Sequence, residues 1–221
     1  MAKLWLGNEP ELVQYVDHMG DDDAVCDAAR VSMAKEADMF TVNQNYRLIG
    51  YLAKHNHWSP FSHCQVKFRF KAPIFVARQL QKHQVGFAWN EVSRRYVNDT
   101  PEFWLPDNLR IKAENIKQGS SSDIHTASPL FLMDMDTVIS NASTLYQTMI
   151  DVGVCPEQAR AILPQSMMTE WIWTGSLYAW SRMYSLRIDS HAQREVQFYA
   201  SRIDEELMRL FPVSWEALKD V

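Results

Sequence analysis

Between Lys82 and Tyr96 the chain reads KHQVGFAWNEVSRRY. Lys82, His83, Gln84, Asn90, Glu91, Ser93, Arg94, Arg95 and Tyr96 fall in this one stretch, directly after the apolar run Ala72-Pro73-Ile74-Phe75-Val76-Ala77 and the pair Arg78-Gln79. A linking loop is usually short and rich in Gly, Pro, Asn and Asp. These side chains are instead the long, hydrogen-bonding kind that hold a phosphate or a nucleobase. Ser93 has no adjacent positioned base and sits in no Gly-x-Ser-x-Gly elbow, so it reads as a phosphate donor beside Arg94 and Arg95 rather than as a nucleophile. The competing reading of the two arginines is a solvated loop with salt bridges.

A second polar group lies near the C-terminus, in Leu186-Arg187-Ile188-Asp189-Ser190-His191-Ala192-Gln193. The spacing Ser190-x-x-Gln193 predicts a capping box, with His191 in the first turn of a helix and Arg187 just before it. Free N–H groups at such an end favour anions and hydrogen-bond acceptors; the alternative is an ordinary capped helix with a surface Arg and His. His55, His57 and His63 cluster in sequence without a His-Glu-x-x-His or a paired Cys-x-x-Cys, so no metal is expected. Neither a Gly-x-Gly-x-x-Gly nor a Walker motif is present, so a nucleotide cofactor would be held by scattered side chains and subunit surfaces.

Helices must position most of these groups. Asp21, Asp22 and Asp23 favour a helix start leading through Ala24 to Met33. Tyr46, Ile49, Leu52 and Ala53 recur at helical spacing. Gln65 to Lys71 alternates Val66, Phe68 and Phe70 with polar residues and predicts a half-buried strand, followed by a helix with Pro73 in its first turn. From Tyr96 to Ala127 the pattern lapses; Pro101, Pro106 and Gly119-Ser120-Ser121-Ser122 predict an ordered loop and then a mobile one. Val138, Ala142, Leu145 and Met149 mark one face of a long helix ending near Gly153. A short helix over 156–163, a strand over 167–173, a helix over 176–186 and a stripe from Val196 to Leu210 complete the pattern, with a last turn over 214–218 after Pro212. Few strands and no βαβ series predict a single α+β domain over 1–221, with a small antiparallel or mixed sheet and several long helices.

Composition agrees with one sizeable core: 221 residues, 47% apolar, 22% charged. The net charge of -5 disfavours nucleic acid as a partner. No apolar stretch reaches membrane-span length and the opening residues soon turn polar, so neither a membrane anchor nor a signal peptide is expected. Scattered Cys26, Cys64 and Cys155 suit a reducing cytoplasm.

Taken together, these blocks resemble the flavin-dependent thymidylate synthase family. The family signature is Arg-His-Arg, seven residues, then Ser; Lys82-His83-Gln84 and Ser93 occupy those places, with eight residues between Gln84 and Ser93. His57-Trp58-Ser59-Pro60-Phe61-Ser62-His63, Lys71-Ala72-Pro73, Arg78-Gln79, Asn90 to Tyr96 and Leu186 to Gln193 resemble further family elements in the same order. The resemblance implies methylation of dUMP to dTMP, with FAD as cofactor, NADPH and methylenetetrahydrofolate as co-substrates, and a homotetramer with shared active sites. It assigns dUMP to Gln79, Lys82, Glu91, Ser93, Arg94, Arg95, Arg160 and Arg187. It makes Arg187 the catalytic group, set against the ionised pyrimidine. It assigns FAD to His57, Ser59, Lys82, His83, Gln84 and His191, and to Ser176, Tyr178 and Arg182, where the family often has Asn, Arg and Asn. Lys82 lacks the planar fork of the signature arginine and Gln84 lacks its charge, while Arg182 restores a cation. The alternatives are a flavoprotein of this fold with lost or altered substrate specificity, or a non-enzymatic nucleotide- or nucleic-acid-binding module.

Overall fold

The computed structural model of the chain describes residues 4–5, 12–97, 99–113 and 120–219. Gly119 of the expected mobile loop and most of the opening residues lie outside them. In chain order the elements are β1 (Leu4–Trp5), β2 (Val13–Met19), α1 (Asp22–Arg30), α2 (Val42–Lys54), α3 (Ser59–Ser62), β3 (Gln65–Pro73), α4 (Ile74–Leu80) and β4 (Phe87–Glu91). They continue with β5 (Phe103–Trp104), β6 (Arg110–Lys112), β7 (Ser120–Ile124), α5 (Ser128–Asp151), α6 (Pro156–Ala159), β8 (Met168–Ser176), α7 (Leu177–Ile188), α8 (Arg194–Leu210) and α9 (Pro212–Lys219). Single-turn 3-10 segments cover Val31–Met33, Ala37–Met39 and Arg160–Ile162. Strands β2, β3, β8 and β4 form, in that spatial order, a small antiparallel sheet, and the mixed helix-and-sheet class is the one expected. Among the described residues no helix is long and apolar enough to cross a membrane.

The chain divides into two compact units, one from Met1–Leu12, Phe70–Gln79 and Asn90–Trp171, the other from Val13–Arg69, Leu80–Trp89 and Ile172–Val221. In the first, Phe103, Leu105, Ile139 and Met167 form a buried cluster, with Ile74, Met135 and Leu163 against it. Phe70 stacks on Trp171, ring centroids 5.1 Å apart and 9° from parallel. Pro73 closes β3 instead of entering the next helix; α4 begins at Ile74, whose N–H donates to the Met167 carbonyl at 3.0 Å. The region read as featureless contains β5, parallel to β1, and β6 paired antiparallel with β7, so Ser120 to Ser122 are strand residues rather than a mobile loop. These strands are only two to five residues long, and pairing rather than their own sequence defines them. Helix α5 has the expected extent, but the apolar stripe read from the sequence is mostly outward: Val138 and Leu145 are exposed, while Ile139 and Tyr146 are buried.

In the second unit, Asp21 caps α1 by accepting from the Ala24 N–H at 2.8 Å. Thr41 and Gln44 close a capping box on α2. The carboxylate of Asp22 accepts from the Val213 N–H at 3.0 Å and the Ser214 N–H at 2.8 Å, satisfying orphan donors of α9. Strand β3 alternates as predicted, with Val66 and Phe68 fully buried. Phe68 meets Trp180 edge-on at 5.1 Å, and Phe87 meets Trp180 at 4.8 Å and Trp173 at 4.5 Å. Aromatic edges against faces add about 1 kcal/mol each beyond their buried area. Helix α7 packs on α8, and α9 packs on α2, α7 and α8.

Candidate functional site

The first unit carries a groove of about 840 Å³. Its cations come from four places: Lys71 on β3, Arg78 on α4, Arg94 in the turn after β4, and Arg160 in the 3-10 turn after α6. Lys71 is neutralised by Glu102, and Arg94 is turned back onto the carbonyl and carboxylate of Asp99. The side chains of Arg78 and Arg160 make no hydrogen bond or ion pair with the described residues. Two uncommitted guanidinium groups on one concave wall suit a phosphate, which they can take in bidentate fashion. The floor is fixed by the end of the Lys82–Tyr96 stretch: Thr169 donates to Glu91 at 2.7 Å and the Val92 N–H donates to the Glu170 carbonyl at 2.9 Å. Phe87–Glu91, in the middle of that stretch, is strand β4.

Of the nucleotide residues expected in this unit, Glu91, Arg94 and Arg160 line the groove. Gln79, Ser93 and Arg95 do not. Arg95 is exposed, donating through Nε to Ser93 Oγ at 3.2 Å with its guanidinium 5.1 Å from the Tyr96 ring centre. Arg78 is the cation that sequence reasoning passed over in favour of its neighbour Gln79. Its signal is its place on α4, immediately after the apolar run.

The second unit has two concavities, of about 510 Å³ and 490 Å³. They share Trp58, Tyr178 and Arg182 as walls. The Trp58 and Tyr178 rings are 6.1 Å apart, and the Tyr178 hydroxyl donates to Asn56 Oδ1 at 2.9 Å. Asn56, missed from sequence, holds a left-handed backbone with φ of 55°. His57 lines the first concavity and Ser176 the second, where the Ser176 hydroxyl is buried and accepts the Ala179 N–H as the cap of α7. Ser59, Lys82 and Gln84 line neither. Gly86 forms part of the second wall with φ of 82°, and a Cβ there would come 2.8 Å from the Ala179 Cβ. Rings, a backbone surface without side chain and the cation of Arg182 fit a planar group joined to phosphates.

Between α4 and β4, and reaching the last turn of α7, is the pair His83–Arg187. Arg187 Nε donates to His83 Nε2 at 2.9 Å. Burial first, then the positive charges of Arg187 and Arg182, push the His83 imidazole down to about 4, so the ring is neutral at physiological pH and free to accept. Burial also lowers Arg187 from its ordinary value.

The Ser190 capping box is corrected by the structure. Helix α8 starts at Arg194 with Gln193 at its N-cap and no side-chain cap. Asp189 takes the bonds instead, accepting from the His191 N–H at 2.7 Å and pairing with His191 Nδ1 at 2.9 Å, and these bonds hold its carboxyl below the usual range. His191 is therefore exposed in the turn between α7 and α8, and Arg187 belongs to the end of α7.

Residues 12–213 match the family model of the thymidylate synthase complementing protein. A flavin-dependent thymidylate synthase of Thermosipho africanus is 38% identical over 206 residues, 93% of this chain and 89% of that one. One from Thermus thermophilus is 37% identical over 208 residues, 94% of this chain and 75% of that one. Among solved structures, a UMP/dUMP methylase from Streptomyces cacaoi bound with 5-Br dUMP gives a TM-score of 0.85 at 32% identity, covering 99% of this chain and 97% of that one.

Proposed function

Because the chain belongs to the flavin-dependent thymidylate synthase family, we propose that it methylates dUMP to dTMP, taking the carbon from methylenetetrahydrofolate and the reducing equivalents from NADPH through FAD. The observation that carries the nucleotide half of this reading is the groove with Arg78 and Arg160 uncommitted, a seat for the 5′-phosphate. FAD supplies the hydride-transfer chemistry when bound. Trp58, Tyr178 and Arg182 are the residues that would hold it, and the two concavities they share favour a dinucleotide over a single nucleotide.

Arg187 acts on the pyrimidine. Its guanidinium favours the form ionised at N3, raises electron density at the ring carbon that attacks, and stabilises charge as it develops. The acceptor His83 is neutral, so it withdraws no charge from the site. No protein nucleophile is required. Burial raises the Cys26 thiol to about 11 and the Cys64 thiol to about 12, which keeps both out of the thiolate form. The reading extends to a homotetramer, supported by the exposed apolar stripe of Phe131, Val138 and Leu145 along α5.

The deciding experiment is single-turnover oxidation of the reduced FAD-loaded protein with dUMP and methylenetetrahydrofolate. Wild type should form dTMP, and Arg187→Ala should not, while keeping its FAD. A wild-type protein without flavin absorbance, or an Arg187→Ala variant of near-normal rate, would refute this reading.

A further inference from the structure

We propose that His83 is a positioning residue for Arg187, aiming its guanidinium at the pyrimidine, rather than a ligand of the flavin. The inference rests on the synthase reading of Arg187 and goes beyond it by assigning the second member of the pair. A guanidinium carries a single Nε–H, on the edge nearest its stem. In Arg187 that N–H donates to His83 Nε2 at 2.9 Å. Anchoring it restrains rotation about the last side-chain torsion, so the imidazole helps to set the direction of the two terminal nitrogens. The partners are far apart in sequence and arrive by different routes, Arg187 on the last turn of α7 and His83 in the turn after α4. The backbone of that turn is itself fixed, since the His83 N–H donates to the Leu80 carbonyl at 3.0 Å.

Only a neutral ring can accept at Nε2, and it must then carry its proton on Nδ1. The site enforces this. His83 is half-buried, and the charged groups that act on it are both cations on α7, Arg187 and Arg182, so protonation is opposed from two directions. His83 lines neither of the two concavities that Trp58, Tyr178 and Arg182 share, so its ring is set toward Arg187 and not toward the flavin seat. The arrangement follows the general pattern in which a reacting group is oriented by a further side chain that never touches substrate.

The test uses the full-length FAD-loaded protein and the variants His83→Ala, His83→Gln, Arg187→Ala and the double change His83→Ala with Arg187→Ala. Gln can still accept through its amide oxygen. His83→Ala should lower kcat by about 10- to 100-fold, the worth of one hydrogen bond to a charged group. FAD affinity, followed by fluorescence, should stay within about twofold, and His83→Gln should recover most of the rate. In the Arg187→Ala background, which forms no dTMP, the cycle is read on dUMP affinity: His83→Ala should weaken it no further, because the two act as a unit. Nitrogen NMR of labelled histidine should show Nε2 of His83 unprotonated at neutral pH and shifted by Arg187→Ala. A large loss of FAD affinity in His83→Ala without rescue by Gln, additive losses in the double variant, or a protonated Nε2 would overturn the proposal. Inactive Arg187→Ala beside a fully active His83→Ala would overturn it while leaving the synthase reading intact. A fully active Arg187→Ala removes that reading and the proposal together.

Discussion

Replacing Gly86 by alanine should cost stability in two separable ways. The backbone there has φ of 82°, and a side chain in the left-handed region costs about 1–2 kcal/mol. The new Cβ would also lie 2.8 Å from the Cβ of Ala179 and 3.2 Å from Ser176 Oγ. Neither neighbour is the free end of a long side chain. Ala179 is fixed in the first turn of α7, and Ser176 Oγ is held as the cap of that helix. The turn carrying Gly86 or the end of α7 must therefore move, and overpacking of this kind costs about 1–3 kcal/mol. A total of about 2–5 kcal/mol, at about 2–4 °C per kcal/mol for a chain of this size, puts the fall in Tm at about 5–15 °C. Thermal and urea unfolding of wild type, Gly86→Ala, Ala179→Gly and the double variant would separate the costs. Ala179→Gly should relieve the contact but not the backbone strain, so the pair should couple by about 1 kcal/mol or more. Gly86→Ala within about 0.5 kcal/mol of wild type would refute the reasoning, since surface changes away from special features fall in that range. Because Gly86 lines the wall that Arg182 and Tyr178 also form, the variant should bind FAD more weakly as well.

Three further outcomes are expected. Asp22→Ala should lower stability by about 1–2 kcal/mol in urea unfolding, because two N–H donors of α9 lose their acceptor; an unchanged midpoint would mean that water replaces the carboxylate without cost. His83, at about 4 in the folded protein against an ordinary 6.5, takes up its proton later than in the unfolded chain; its contribution is intact above about pH 6.5 and lost as pH falls towards 4. Allowing for its partial exposure, the loss is about 2 kcal/mol, and His83→Gln should flatten the stability profile over that window; parallel profiles would exclude His83 as the cause. Gln84→Arg should leave FAD affinity within about twofold in a fluorescence titration, because Gln84 lines neither concavity; tightening by about threefold or more would show that it faces the phosphates.

What was legible in the sequence followed burial. The alternation of Val66 and Phe68, and the Val196 to Leu210 stripe, record which side of each element meets the core, and both appear as read. Capping boxes were less transparent. Thr41-x-x-Gln44 and Ser190-x-x-Gln193 have the same form, yet only the first closes. At the second, Asp189 offers a better-placed carboxylate to His191, and the helix waits until Arg194. The cationic groove was legible only in part, since Arg78 and Arg160 stand far apart in sequence and converge through the fold. The His83–Arg187 bond left no local pattern at all; both residues were visible as candidates, and their pairing belongs to the tertiary structure.

The second unit is spelled out in three separated stretches, 13–69, 80–89 and 172–221. On the ribosome that ordering has a cost. Phe68 is made early, but the Trp180 that covers it is made more than a hundred residues later, and Asp22 waits for Val213 almost until synthesis ends. Vectorial, piece-by-piece folding suits units that are continuous in sequence. Here β3 emerges with its apolar face bare and stays so until α7 arrives. The nascent chain is thus a natural client for holdase chaperones, and slower, cooler expression should raise its soluble yield. A stop codon anywhere before α9 would remove not a tail but the closing piece of the unit that begins at Val13.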